Sequence, residues 1–173
     1  MDQPSLSPWK GAVAGGLIVF LWSSLSWMVL PFHEKTVGKL TDAAPIVAAL
    51  QGAPSGVYIL PNDPTGQMAP TDPFLFVSYE KKGWGPMGPS MLAALVIQCV
   101  GAFFWTWILG KMPSLTPKSA ALYGAMFGLC VGVLAYLPNT VWWKFSPAFT
   151  LLYLVDAVVA WAAASAVVAR WCR

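Results

Sequence analysis

The chain has 173 residues, 57% of them hydrophobic and 10% charged, with a formal net charge of +3 and a single histidine. Soluble domains carry about 25% charged residues, so most of this surface is not built for water. That balance excludes a disordered chain and an ordinary cytosolic enzyme, and the absence of a basic run excludes a nucleic-acid partner. What remains is a small integral membrane protein.

A hydrocarbon core needs about 20 consecutive apolar helical residues, and four segments supply them. After a short N-terminus (1–10, ending at Lys10), the first span covers 11–31 and breaks at Pro31-Phe32-His33-Glu34. It is longer than a signal-peptide apolar region, follows only one basic residue, and has Ala12 and Ala14 at its start rather than at a cleavage position. It therefore reads as a retained helix.

Residues 32–88 form the only sizeable segment outside the spans. Asp42 is placed to cap a short helix through Ile46, Val47 and Leu50, which Gly52 and Pro54 end. Residues 56–60 and 74–79 read as two strands, joined by a loop holding Pro61, Pro64, Gly66, Pro70 and Pro73. Both strands are apolar on two faces, and a lone hairpin is marginal in water. They are expected to pack on the short helix, on the helix ends or on another protein. A Gly-rich lead, Gly83-Trp84-Gly85-Pro86, opens the second span at 89–110. A turn (111–118) leads to the third span (119–137), which Pro138-Asn139 is expected to stop. A second turn (138–146), the fourth span (147–169) and a tail (170–173) complete an all-α membrane protein with a small α+β extracytoplasmic loop between helices 1 and 2.

Basic residues set the orientation. Lys10, Lys111, Lys118, Arg170 and Arg173 crowd the short pieces on one side. Lys35, Lys39, Lys81, Lys82 and Lys144 are spread over a longer stretch and mixed with Glu34, Asp42, Asp63, Asp72 and Glu80. Positive charge on short loops stays inside, so both termini are expected in the cytoplasm. Trp9, Trp105, Trp107 and Trp171 then mark the inner interface, and Trp27, Trp84, Trp142 and Trp143 the outer one.

Small residues reveal where helices meet, because in lipid close backbone approach drives association. Ala120, Gly124, Gly128 and Gly132 recur every four residues along the third span, a helix-packing face. Gly11, Gly15 and Ser23 make a similar line in the first span, and Ala160 and Ala164 lie in register with Asp156 in the fourth. The face serves either the chain's own bundle or another subunit, lipid tail or pigment.

Asp156 lies near the middle of the fourth span, about 13 Å below its outer end at 1.5 Å per residue. An acid there costs about 2.5–3.5 kcal/mol on insertion scales and should face a partner. No Lys or Arg lies within a span. The expected partners are Gln98, at matching depth, and Ser23, Ser24 and Ser26, giving a candidate intramembrane polar site of Asp156, Gln98, Ser23 and Ser24. Three readings stay open: a protonated acid bonded inside the chain, proton or cation handling, and pairing with a cation on a partner subunit.

His33 and Glu34 form an outer-mouth polar cluster. One His, one acid and scattered Met28, Met68 and Met87 have no metal-ligand spacing, so no metal is expected. No catalytic pattern appears: there is no phosphate loop, paired carboxylate, CxxC or CxxCH. Cys99, Cys130 and Cys172 fall in spans or the tail, where they read as small hydrophobes.

The stretches 21–33 (LWSSLSWMVLPFH), 55–61 (SGVYILP) and 146–150 (SPAFT) resemble a group of bacterial four-helix inner-membrane proteins with a periplasmic loop and no assigned activity. The resemblance implies a multi-pass protein of the bacterial inner membrane. Two functions follow as expectations. One is a non-catalytic accessory subunit of a larger, energy-converting (respiratory or photosynthetic) complex, contacting other integral membrane subunits, membrane lipids, quinone or pigments, with no cofactor of its own. The other is a small transporter or lipid-handling protein using the polar site around Asp156.

Overall fold

The computed structural model describes residues 6–61 and 71–172. Its helices are α1 (Pro8–Met28), α2 (Ala44–Leu50), α3 (Met87–Leu109), α4 (Pro117–Val131), α5 (Leu137–Trp142) and α6 (Pro147–Trp171), with strands β1 (Gly56–Leu60) and β2 (Leu75–Tyr79) between α2 and α3. Four helical stretches are long and apolar enough to cross a membrane: α1, α3, the continuous run Pro117–Trp142, and α6. The chain is a multi-pass membrane protein.

A Ser/Thr-Pro pair sets the start of α1, α4 and α6. The Ser7, Thr116 and Ser146 side chains accept backbone N–H bonds, and Pro8, Pro117 and Pro147 fill the first helical turn. The cap satisfies an orphan donor, and proline at that position loses no hydrogen bond. These pairs start the first and third spans two or three residues earlier than apolar length alone indicates. Gly83 and Gly85, with φ of +71° and +65°, turn the chain into α3 in a conformation other residues resist.

The third span does not stop at Pro138. A π-helical turn, Gly132–Tyr136, follows α4, and the helix resumes as α5 with Pro138 in its first turn. Mid-helix proline removes a donor and crowds the carbonyl four residues back, and the wider turn absorbs both.

The bundle packs as α3–α1–α6–α4, with α1 and α6 at its centre. It inverts the pattern of a water-soluble protein. Glycine, alanine and serine line the interior, while Leu21, Phe104, Leu122, Leu134 and Val155 point outward and are half or more exposed. Outward apolar bulk with small inward residues is membrane packing. A side chain at Gly124 would overlap Trp161 and Ser165, one at Gly128 the Ala157 backbone, and one at Gly132 Leu154. Buried Ala120 continues this face, so α6 of the same chain fills the stripe. Gly11 and Gly15 meet Thr106 and Ala102 of α3 in the same way.

At one end of the bundle the backbone N–H of Ser7 bonds the Cys172 carbonyl at 2.7 Å, and Leu6, Leu109, Leu115, Ala169 and Cys172 close the core. Trp105, expected to mark the inner interface, does not face outward. It is buried, donates to Ser165 Oγ at 2.7 Å and stacks on Phe127, bridging α3, α6 and α4. Of the cysteines only Cys172 is buried, while Cys99 is half-buried and Cys130 exposed.

At the other end lies the segment between α1 and α3. Asp42 Oδ1 accepts from Ala44 N at 2.9 Å, starting α2. The strands pair antiparallel from Gly56↔Tyr79 to Leu60↔Leu75. Phe76 rests on Trp143 and Phe145, with ring centroids at 5.0 and 5.9 Å, so the hairpin leans on the α5–α6 connection. Pro64, Gly66 and Pro70 of the expected connecting loop lie outside the described residues.

Candidate functional site

Asp156 has three partners in its own chain, of which Ser26 is among those expected and Trp22 and His33 are not. Its Oδ1 accepts from Trp22 Nε1 at 3.1 Å, and Ser26 Oγ lies 2.9 Å from both carboxylate oxygens. His33 Nε2 stands 2.7 Å from Oδ2. Trp22 and Ser26 are one turn apart on α1 and so share the face turned to α6. Gln98, Ser23 and Ser24 make no hydrogen bond to this carboxylate. All three partners can donate, the arrangement an ionised carboxylate takes, since it only accepts. Of the expected bonds to Gln98 or a serine, the one to Ser26 forms and the one to Gln98 does not.

His33 reaches Asp156 because the chain doubles back after α1. The N–H groups of Val29 and Leu30 both bond the Leu25 carbonyl, ending the helix. Thr36 then grips the His33 carbonyl twice, through its backbone N–H at 3.0 Å and its hydroxyl at 2.8 Å. The imidazole lies over the end of α1, 1% exposed, stacked on Trp27 at 3.9 Å and meeting the edge of Tyr153 at 5.6 Å. The outer-mouth cluster is thus divided. His33 turns into the bundle, whereas Glu34 stays exposed and pairs with Lys39 at 2.8 Å.

The hydrogen-bond network also assigns the imidazole proton. Nε2 faces the carboxylate, the geometry of an Nε2–H donor, while Nδ1 is buried without a hydrogen-bond partner among the described residues. A second proton on Nδ1 would be a buried donor lacking an acceptor, which is costly. A proton on Nε2 is the placement that fits the contact with Asp156.

Beside this cluster lies a cavity of about 200 Å³ lined by Ser23 and Trp27 of α1, Gln98 of α3, Tyr136 of the π turn, and Tyr153, Asp156 and Trp161 of α6. Ser23, Gln98, Tyr136, Tyr153 and Asp156 are all partly exposed. Polar atoms of three spans and the π turn thus converge where the flanking apolar helices face lipid. Gln98 and Ser23 share a wall with Asp156 instead of bonding it, and Ser24 lies outside both cluster and cavity. Among the described residues no three His, Cys, Asp or Glu side chains converge as metal ligands.

The sequence reading missed Trp22, Trp27, Tyr136 and Tyr153. The Trp22/Ser26 spacing was the available signal, since it puts an indole N–H and a hydroxyl on one helix face. The two tyrosines meet at 5.3 Å only because the π turn rotates Tyr136 inward.

Comparison with known proteins finds no match: no protein-family model, no curated protein and no solved structure is similar to this chain.

Proposed function

We propose that this chain is a non-catalytic protein of the bacterial inner membrane that binds and handles a small polar or amphipathic molecule at the site around Asp156. One observation carries the reading. Asp156, Gln98 and Ser23, from three different spans, line one cavity inside the bundle. Intramembrane ionisable groups that face a cavity mark ligand or ion sites. The basic residues support cytoplasmic termini, with the segment between α1 and α3 on the periplasmic side. A groove between α1 and α3, lined by Trp9, Ala12, Leu95, Cys99 and Phe103, offers an apolar surface for a lipid tail.

The test is access. In a background lacking Cys99, Cys130 and Cys172, Gln98→Cys should react with a small cationic thiosulfonate added from the loop side. Complete protection in native membranes overturns the reading.

A second reading, an accessory subunit of an energy-converting complex, draws on the segment outside the spans. Leu40, Val47, Val57, Leu60 and Trp84 are each 45% or more exposed there. Apolar surface of that kind suits a protein or membrane partner. The glycine stripe and Asp156, however, are both occupied within the chain, which removes two of the contacts such a subunit would offer. Stoichiometric co-purification in mild detergent favours this reading, and recovery as a monodisperse monomer opposes it.

A further inference from the structure

We infer that the cavity beside Asp156 is a receptor for a primary alkylammonium group. The inference rests on the proposed binding site and specifies its ligand chemistry.

Charge comes first. Asp156 is met by three side chains that can all donate to it, and Nδ1 of the facing imidazole has no hydrogen-bond partner among the described residues. Donors around a carboxylate favour its charged form, and Coulomb attraction for a cation is strongest inside a low-dielectric bundle. His33–Asp156 and Lys39–Glu34 are the acid–base contacts found among the described residues, and no Lys or Arg side chain is paired with Asp156. The cluster therefore lacks a permanent cation and can gain one from a ligand.

The walls add a second, independent preference. Trp27, Tyr136, Tyr153 and Trp161 line the same cavity as the carboxylate. Aromatic rings attract cations through their quadrupole, most strongly where water is excluded. An anion would meet the carboxylate and four electron-rich rings, so anionic headgroups are disfavoured. Primary and quaternary ammonium differ in what they need. A primary ammonium presents three N–H donors, and Asp156, Gln98 and Ser23, which line the cavity from three helices, each carry an oxygen able to accept. A quaternary group would leave those acceptors unpaired.

Size agrees. A cavity of about 200 Å³ holds an ammonium with a short carbon arm, given about 30 Å³ for one water in the liquid. Such a group occurs both in ethanolamine lipid headgroups and in free amines.

The experiment uses the full chain purified in detergent and placed in nanodiscs. Native mass spectrometry and competition titration compare phosphatidylethanolamine, phosphatidylcholine, phosphatidylglycerol and free ethanolamine. The expected result is selective retention of an amine carrier. Preference for phosphatidylethanolamine over free ethanolamine identifies a headgroup site, and the reverse identifies a soluble amine. Asp156→Asn should weaken binding at least tenfold. Because that change also touches the His33 cluster, Gln98→Leu serves as the second variant; it should weaken amine binding several-fold with an unchanged melting temperature. Equal competition by phosphatidylcholine or phosphatidylglycerol overturns the ammonium assignment. If a non-amine lipid binds and Gln98→Leu abolishes it, the site stands with the wrong ligand class. If no probe binds, or Gln98→Leu affects none, both the ligand class and the binding-site reading fall.

Discussion

His33 Nε2 lies 2.7 Å from Asp156 Oδ2 across 123 positions of sequence, joining the turn after the first span to the interior of the last. The contact fastens the chain leaving α1 onto α6 at a point where neither residue can be hydrated freely. His33 is 1% exposed, and the Asp156 side chain 15%.

The first prediction concerns that contact. Removing one member of a buried, hydrogen-bonded pair strands the other, at a cost of about 3 kcal/mol. His33→Ala and Asp156→Ala should each lower stability by that order in detergent unfolding. The double variant should be little worse than either single one, because the stranded group is then gone. Additive losses would mean that the two side chains do not act as a unit.

The α4–α6 contact gives the second. A methyl at Gly128 would overlap the Ala157 carbonyl and the Val158 backbone, which cannot move aside as a flexible side chain could. Gly128→Ala should therefore cost about 1–3 kcal/mol through overpacking, despite alanine's better helix propensity. Gly88→Ala, in the first turn of α3 with nothing nearby, should be neutral or slightly stabilising. Parallel melting curves of the two variants decide it.

How much of this was legible beforehand follows from what each feature depends on. The spans were readable because 20 apolar residues carry their own information, whatever their neighbours do. Their starts were readable in principle from Ser7-Pro8, Thr116-Pro117 and Ser146-Pro147, a local capping signal that hydropathy counting passes over. Pro138 misled because its effect depends on whether the preceding turn can widen, and Gly132 at the head of the π turn is where it does. Asp156 was identifiable as a residue in need of company, but only part of its company was. Ser26, on the facing helix, is legible from depth alone, whereas His33 comes from outside a span and is brought back by a tight turn. Nothing local to residues 29–36 announces that return. It is set by Thr36 holding the His33 carbonyl and by Trp27 stacking beneath the ring.

The third prediction is a pH dependence. The Lys39 ammonium, hydrogen-bonded to exposed Glu34, holds that carboxyl below its ordinary value of 4.5, and Glu34 in turn raises Lys39 above 10.5. A lowered acid contributes stability above its unfolded value and loses it as pH falls through the folded one. A raised base contributes below its unfolded value and loses it as pH rises through the folded one. The pair therefore acts between about pH 4.5 and 10.5, and weakly, because both groups are in water. Carboxyl NMR should find Glu34 titrating low in the parent chain and moving upward in Lys39→Ala. No movement would mean that the pair does not form in solution.

The fourth prediction is topology. The Ser7–Cys172 backbone bond holds the two ends of the described chain at one end of the bundle, so they must share a side of the membrane. Lys10, Lys111, Lys118 and Arg170 gather at that end close to short connections, while the basic residues at the other end are diluted by acids and by a longer segment. Charge on short loops governs insertion, so the Ser7–Cys172 end is expected on the cytoplasmic side. In a cysteine-free background, Lys81→Cys should react with an impermeant maleimide in intact cells, and Lys118→Cys only after permeabilisation. The opposite pattern would invert the protein, putting the His33–Asp156 cluster in the cytoplasmic leaflet and its cavity within reach of cytoplasmic rather than external ligands.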